Sequence, residues 1–320
     1  MKSARILKLA LFGIVALGGV ETAEADVIYS FITFNAPGAS GLGTTAFGIN
    51  DSGQIVGSFF DAGDTTTHGF LDTGGSFTTI DVLGATRTAA YGINDSGQIV
   101  GWFRDAFGDH GFLNTGGSFT TINAPGAIHT YAYGINDNGQ IVGYFVDALG
   151  SHGFVDTGGI FTTLPGVATG INNSGQIVGS FGLYTGGSSM AINVPGASST
   201  SASGINNSGQ IVGSFNFPMG QGFLDTGGSF TTIDVPGFCC TFAQGINDSG
   251  QIVGWVGFPA APEMAFVATP VATPEPASLL TLAICLGALL GIAFQRKRAD
   301  AGSRLPTVRM RKWPWESAWR

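Results

Sequence analysis

The decapeptide GINDSGQIVG recurs six times, with at most one substitution per copy, starting at Gly48, Gly92, Gly134, Gly170, Gly204 and Gly245. Successive copies begin 44, 42, 36, 34 and 41 residues apart. A period near 40 built from strand-like runs is the mark of a propeller or an array rather than of one irregular domain. The unit Ser76–Gly117 reads as four short strands: SFTTIDV (Ser76–Val82), TAAYGIN (Thr88–Asn94), QIVGWF (Gln98–Phe103) and HGFLNT (His110–Thr115). The Asn-Asp-Ser-Gly turn between the second and third has a mechanism. Asn and Asp bond their own backbone, and Gly accepts positive φ. Four strands in about 42 residues make one propeller blade. Only 11% of the residues are charged while 52 are Gly, which suits short strands and tight turns and excludes a helical protein.

Counting strands predicts the architecture. The SFTTI type occurs six times, beginning at Phe31–Phe34, and the GIN and QIVG strands occur six times each. The His-Gly-Phe type ends with Met264-Ala265-Phe266, which no SFTTI strand follows. The first and last strands therefore complete each other, and pairing Phe31–Phe34 with Ala265–Ala268 closes a ring and removes exposed edges. The expected fold is an all-β, six-bladed β-propeller of four-stranded blades closed by the N-terminal strand. It is flanked by an N-terminal signal helix and a C-terminal transmembrane helix. The fourth unit lacks about eight residues between Gly179 and Leu183, so a lost loop and a shortened strand are expected there, and a five-bladed ring or an open solenoid is the alternative.

The two ends carry addresses. Lys2, Arg5 and Lys8, the apolar run Leu9–Val20 and the Ala23-Glu24-Ala25 triplet read as a signal peptide over 1–25, with Ala23 and Ala25 marking the cleavage site. The propeller then occupies 26–270. At the other end Pro274-Glu275-Pro276 precedes the apolar run Leu279–Phe294 and the basic stop Arg296-Lys297-Arg298. Those sixteen mostly apolar residues make a helix of about 24 Å, just short of a typical bilayer core. Proline, apolar helix and basic stop in that order resemble the PEP-CTERM sorting signal, here 271–298. That resemblance implies export through the inner membrane, transient anchoring there, processing by an exosortase-type enzyme, and release to the cell surface or medium. Residues 299–320 follow as an atypical tail expected to be disordered. The repeat unit itself resembles the HAF family of extracellular repeats. The signature reads His-Gly-Phe at His68–Phe70, His110–Phe112 and His152–Phe154, and the resemblance spans about 30–268. It implies a secreted repeat protein and no particular activity.

Charge excludes one class of partner. Between residues 26 and 275 the only basic residues besides histidine are Arg87 and Arg104, against 17 Asp and Glu. Such a surface repels phosphate backbones, so nucleic acid is not an expected partner. Asp-Thr-Gly at Asp72, Asp156 and Asp225 resembles the aspartic-protease triplet, but copies spread from blade to blade form no dyad, and turn chemistry is the expected role. His68, His110 and His152 occupy equivalent strand starts and so diverge rather than converge on a metal. The Asn-x-Ser triplets at Asn50, Asn94, Asn172, Asn206 and Asn247 match a glycosylation pattern but coincide with the repeated turn. The adjacent Cys239 and Cys240 would form a strained vicinal disulfide, cross-link to a partner, or serve no role as loop thiols.

In a propeller, loops alternate between two faces. The NDSG and DTGG turns share one face and barely vary, whereas the loops on the other face differ in every blade, as a binding face does. Its candidate residues are Asp61, Asp64, Arg87, Arg104, Asp105, Phe107, Asp109, Tyr131, Asp147, Phe217 and Phe242. Aromatic rings beside carboxylates suit sugar recognition or weak Ca²⁺ binding, and no other cofactor is expected. The reading is a non-enzymatic surface or matrix component that binds exopolysaccharide or a surface protein. The alternative is a carbohydrate-active hydrolase or lyase, with Asp105 and Asp147 as its best carboxylate pair.

Overall fold

The computed structural model describes residues 28–40, 43–63, 66–216, 219–258 and 261–271. The signal peptide, the sorting signal, the tail, and the candidates Asp64 and Phe217 lie outside the described residues. No helix long and apolar enough to cross a membrane occurs among the described residues.

The described chain begins with β1 (Ile28–Phe34) and continues through six repeats. Blade 1 is β2 (Thr44–Ile49), β3 (Gln54–Phe60), β4 (Thr67–Thr73) and β5 (Ser76–Ile80). Blade 2 is β6 (Arg87–Ile93), β7 (Ile99–Arg104), β8 (Asp109–Thr115) and β9 (Ser118–Ile122). Blade 3 is β10 (His129–Ile135), β11 (Gln140–Asp147), β12 (Gly150–Thr157) and β13 (Ile160–Leu164). Blade 4 is β14 (Ala168–Ile171), β15 (Ile177–Gly179), β16 (Gly182–Thr185) and β17 (Ser188–Met190). Blade 5 is β18 (Thr200–Ile205), β19 (Ile211–Asn216), β20 (Gly220–Thr226) and β21 (Ser229–Ile233). Blade 6 is β22 (Cys240–Ile246), β23 (Ile252–Phe258) and β24 (Ala261–Val271), with β1 as its fourth strand. The order β1-β24-β23-β22 is the closure expected from the unmatched terminal strands.

The core lies between blades, and the Ile-Val-Gly run explains why. Successive strand residues face opposite sides, so Ile99 packs with its own blade's Phe103 and Phe112 and with Val56 and Ile80 of blade 1. Val100 points the other way, into blade 3, beside Ile135, Ile141 and Phe154. Six such clusters fill the six seams. The phenylalanine of each His-Gly-Phe strand is the largest buried side chain of its layer, Phe70, Phe112, Phe154, Phe223 and Phe266 among them. Burying one contributes about 1.5–3 kcal/mol.

Blade 4 departs as its length predicts. A two-residue turn replaces the loop between β15 and β16, and Gly182 pairs with Gly179 where other blades set a phenylalanine over the glycine. The shortened strands leave an apolar groove along Leu183, Met190, Ile192, Ile211 and Phe230.

Candidate functional site

The face of the NDSG turns is locked at the axis. Each turn asparagine is only 3–4% exposed, and its Oδ1 accepts the backbone N–H of the glutamine four residues on at 2.9–3.0 Å. Its Nδ2 donates to the backbone carbonyl of the equivalent asparagine in the next blade. The chain runs Asn50 to Asn94, Asn136, Asn172, Asn206, Asn247 and back to Asn50, at 3.0–3.2 Å. One residue on, Asp51, Asp95, Asp137, Asn173, Asn207 and Asp248 form a second closed ring, each backbone N–H donating to the next side chain at 2.7–2.9 Å. The side-chain nitrogens of Asn50, Asn94, Asn172, Asn206 and Asn247 are thus committed to the ring, which supports the turn reading over glycosylation. The double ring itself was not foreseen.

Four of the six residues in the outer ring are carboxylates, contiguous from Asp248 through Asp51 and Asp95 to Asp137. Burial, together with the charges of Asp248, Asp95 and Asp137, raises the Asp51 pKa even though the Asp248 amide opposes the shift. A folded-state value above the unfolded one means that stability falls as pH rises from the ordinary carboxylate range through the raised value, and the deficit persists at neutral pH. Asp51→Asn keeps the acceptor for Asp248. Its amide would also donate to a neighbouring carboxylate, as Asn173 does to Asp137 and Asn207 to Asp248. The expected gain is about 0.5 kcal/mol at pH 7 after solvent screening, or 1–2 °C in Tm, shrinking below pH 4. Thermal melts at the two pH values check it, and a lower Tm at pH 7 would contradict it.

The outer turns and the histidines find partners within their own blades. Oδ1 of Asp72, Asn114, Asp156 and Asp225 accepts the N–H of Gly75, Gly117, Gly159 and Gly228 at 2.6–2.8 Å, so Asn serves as well as Asp and no dyad forms. His68, His110 and His152 lie against Phe59, Phe103 and Phe145 of their own blades, with ring centroids 5.2–5.4 Å apart. Among the described residues no group of three His, Cys, Asp or Glu is placed to hold a metal ion.

On the variable face, the structure gathers some candidates and separates others. Arg104, Asp109 and Tyr131 meet in the seam between blades 2 and 3. The Asp109 side chain is only 2% exposed; it accepts from Arg104 Nε at 2.5 Å, Arg104 Nη2 at 2.8 Å and Tyr131 Oη at 2.5 Å. His129 adds to the same site, its Nδ1 accepting the Asp109 N–H at 3.2 Å. The Arg104 hydrogen bonds hold the Asp109 pKa below the usual carboxylate range. Burial and the bond to Asp109 push the Tyr131 phenol well above its ordinary value.

The other candidates stand apart from this cluster. Asp105 turns away, accepting the Phe107 N–H at 2.7 Å and lying 3.3 Å from His110 Nε2, while Phe107 is 89% exposed at the turn tip. Asp147 accepts the Leu149 and Gly150 amides and a 3.1 Å contact from His152, and those bonds lower its pKa. The two acids named as a possible catalytic pair are therefore engaged within separate blades. Asp61 bonds Thr66 in its own loop, and Phe242 stacks on Trp255 at 4.0 Å. Cys239 and Cys240 are free thiols with their sulfurs 3.1 Å apart, and the bond to Cys239 raises the Cys240 pKa.

Sequence reasoning missed the residue in front of each GIN. A β-bulge breaks the register there in every inner strand, between Ala46 and Gly48 in blade 1 and at the equivalent place in the others. Bulges re-aim side chains, and these residues line a small axial cavity of about 80 Å³. Its wall is divided: Phe47, Tyr91 and Tyr133 form one half, and Thr169, Ser203 and Gln244 the other. The aromatic half continues outward, with Phe47 on Tyr91 at 4.1 Å, Tyr91 on Tyr133 at 4.6 Å and Tyr133 near Tyr144 at 5.6 Å. Tyr144 stacks on Tyr131 at 4.6 Å, and Tyr131 meets Trp102 edge-on at 5.7 Å. An unbroken run of rings thus joins the axis to the Arg104–Asp109 cluster. The readable signal was that this one inner-strand position varies beside an unvarying triplet.

Fold and rings together define a six-bladed β-propeller with a constant, axially locked face and a variable face whose polar and aromatic groups concentrate on one seam. No protein-family model matches the sequence, and no curated protein matches it. Among solved structures the chain is similar to YCF48 bound to D1 peptide, at 11% identity and TM-score 0.41, covering 76% of this chain and 97% of that one. It is also similar to the PQQ-bound form of aldose sugar dehydrogenase from Streptomyces coelicolor, at 9% identity and TM-score 0.42, covering 76% and 99%. At these values neither neighbour informs on what this chain binds.

Proposed function

We propose that this propeller is a non-enzymatic binding component of the bacterial cell surface or extracellular matrix, with exopolysaccharide as its ligand. The observation that carries the reading is the seam between blades 2 and 3, where Trp102, Tyr131, Tyr144, Arg104 and Asp109 meet beside the exposed Phe107. Large exposed apolar side chains flank it on the same face, Leu83, Ile128 and Leu149 among them, as at a contact surface. Aromatic rings with fixed polar groups suit sugars, whose apolar and hydroxyl faces alternate.

On the variable face, the chemistry of the acids favours binding over hydrolysis. A glycosidase needs one carboxylic acid with raised pKa and a second carboxylate a few ångströms away. Asp109 and Asp147 are shifted downward by their partners. Glu263 is raised by burial, but its side chain bonds Thr45, and among the described residues no second carboxylate acts on it. The ends of the chain supply the address in this reading: export through the inner membrane, recognition by an exosortase-type enzyme and release outside.

Two measurements test it. Phe107→Ala, at an exposed ring, is expected to weaken polysaccharide binding about tenfold without changing Tm. Unchanged affinity would remove this seam from the site. Sequencing both ends of the mature protein after cell fractionation tests the address, and residues 299–320 on the exported form would overturn processing.

A further inference from the structure

We propose that Arg87 and Arg104 form an oxyanion subsite for the carboxylate or sulfate groups of an acidic polysaccharide. The proposal rests on the glycan-binding reading above and names the class of glycan.

Between residues 26 and 275 these are the only two Lys or Arg residues against 17 acids, yet they stand directly opposite one another in the pairing of β6 with β7. Directly opposed residues project from the same side of the sheet, with Cβ atoms about 5 Å apart, and like charges so placed destabilise the pair. A strongly negative surface offers both arginines acids elsewhere. Asp109 neutralises Arg104 and fixes its guanidinium by two hydrogen bonds, while 47% of the Arg104 side chain stays accessible. Arg87 is exposed, and among the described residues its side chain has no hydrogen-bond or ion-pair partner. Asp105, next to Arg104 in sequence, is drawn to His110 and the Phe107 amide, and Asp81, the acid nearest Arg87 in sequence, pairs with His68. One positive charge is therefore left uncompensated on this face of the seam.

The surroundings fit a polymer. The same side of β7 presents Trp102, which meets Tyr131, and the turn beyond Arg104 presents Phe107. A guanidinium presents planar forked donors matched to carboxylate or sulfate oxygens, and a held neighbour loses less freedom on binding. An acidic sugar would place its oxyanion on Arg87 and the free edge of Arg104, with its ring against the aromatic groups. The acids over the rest of the surface would repel such a polymer from other registers.

The test compares binding of the purified exported protein to polygalacturonate, dextran sulfate and uncharged dextran at low ionic strength. The expected result is at least tenfold tighter binding to an acidic polymer than to dextran, weakening as salt is added. Preference for polygalacturonate assigns a carboxylate and preference for dextran sulfate assigns a sulfate. Arg87→Gln, which removes no internal contact, is expected to abolish most of the preference with Tm unchanged or slightly raised. Equal binding to all three polymers, with Arg87→Gln silent, would overturn the subsite and leave glycan binding standing. Binding to none of the three would overturn both.

Discussion

Replacing Asn94 by alanine is expected to lower stability by about 2–3 kcal/mol, a fall of roughly 5–12 °C in Tm for a domain of this size. The side chain is 4% exposed and serves both ends of one amide. Oδ1 accepts Gln98 N–H at 2.9 Å and Ser96 Oγ at 2.8 Å, while Nδ2 donates to Gln98 Oε1 at 2.9 Å and across the seam to Asn136 O at 3.2 Å. Alanine strips the turn of its acceptor and breaks one link of a closed ring, leaving buried polar groups without partners. Asn94→Asp is the sharper probe. It keeps the shape and the acceptor but aims a carboxylate oxygen at two other acceptors, so the loss at neutral pH should exceed that of alanine. Burial and those acceptors hold its folded pKa above the unfolded one, so stability should return as pH falls and drop as pH rises through the raised value. Melts of both variants between pH 4 and 8 decide the matter; an Asn94→Asp curve parallel to wild type would show that the interblade bond carries nothing.

That ring shows why the sequence was readable in part. The half of Asn94 that binds Gln98 is local, so a turn-forming asparagine announces it. The half that binds Asn136 crosses 42 residues and exists only because six near-identical turns converge on the axis. Blade number was legible for a related reason: Phe31–Phe34 lacked a preceding partner and Met264–Phe266 lacked a following one, so edge avoidance alone joined β1 to β24. The bulge at Phe47, Tyr91 and Tyr133 was not legible. A period of two places residues on faces, and one inserted residue re-aims a side chain without changing the pattern around it. The site was seen as a face but not as a cluster. Arg104, Asp109 and Tyr131 were all assigned to the variable loops, yet their meeting depends on how blade 3 leans on blade 2. Asp105 and Asp147 shared that face and were drawn to their own histidines instead.

Gly101→Ala should have the largest effect of any single methyl added to a glycine of its own copy of the repeat, about 4 kcal/mol or more, or failure to fold. A Cβ at Gly101 would lie 2.0 Å from Ala89 O and 2.8 Å from the Phe112 ring. The carbonyl belongs to the paired inner strand, just beyond the bulge, and cannot withdraw without breaking the β6–β7 ladder. The ring is the buried plug of its seam. The same approach recurs at Gly57, Gly143, Gly179, Gly213 and Gly254, with 1.9–2.1 Å to a backbone oxygen in each. Space, not backbone conformation, fixes the last glycine of the decapeptide. Gly97, in the same copy, is the control, because it has φ +78° and nothing within 4 Å. Alanine there costs only left-handed strain, about 1–2 kcal/mol. Chemical denaturation of both variants should separate them by at least a factor of two in lost free energy, with Gly101→Ala the worse. Equal losses would mean that inner strand and blade slide apart easily, and the tight packing of glycine under phenylalanine would no longer account for the repeat.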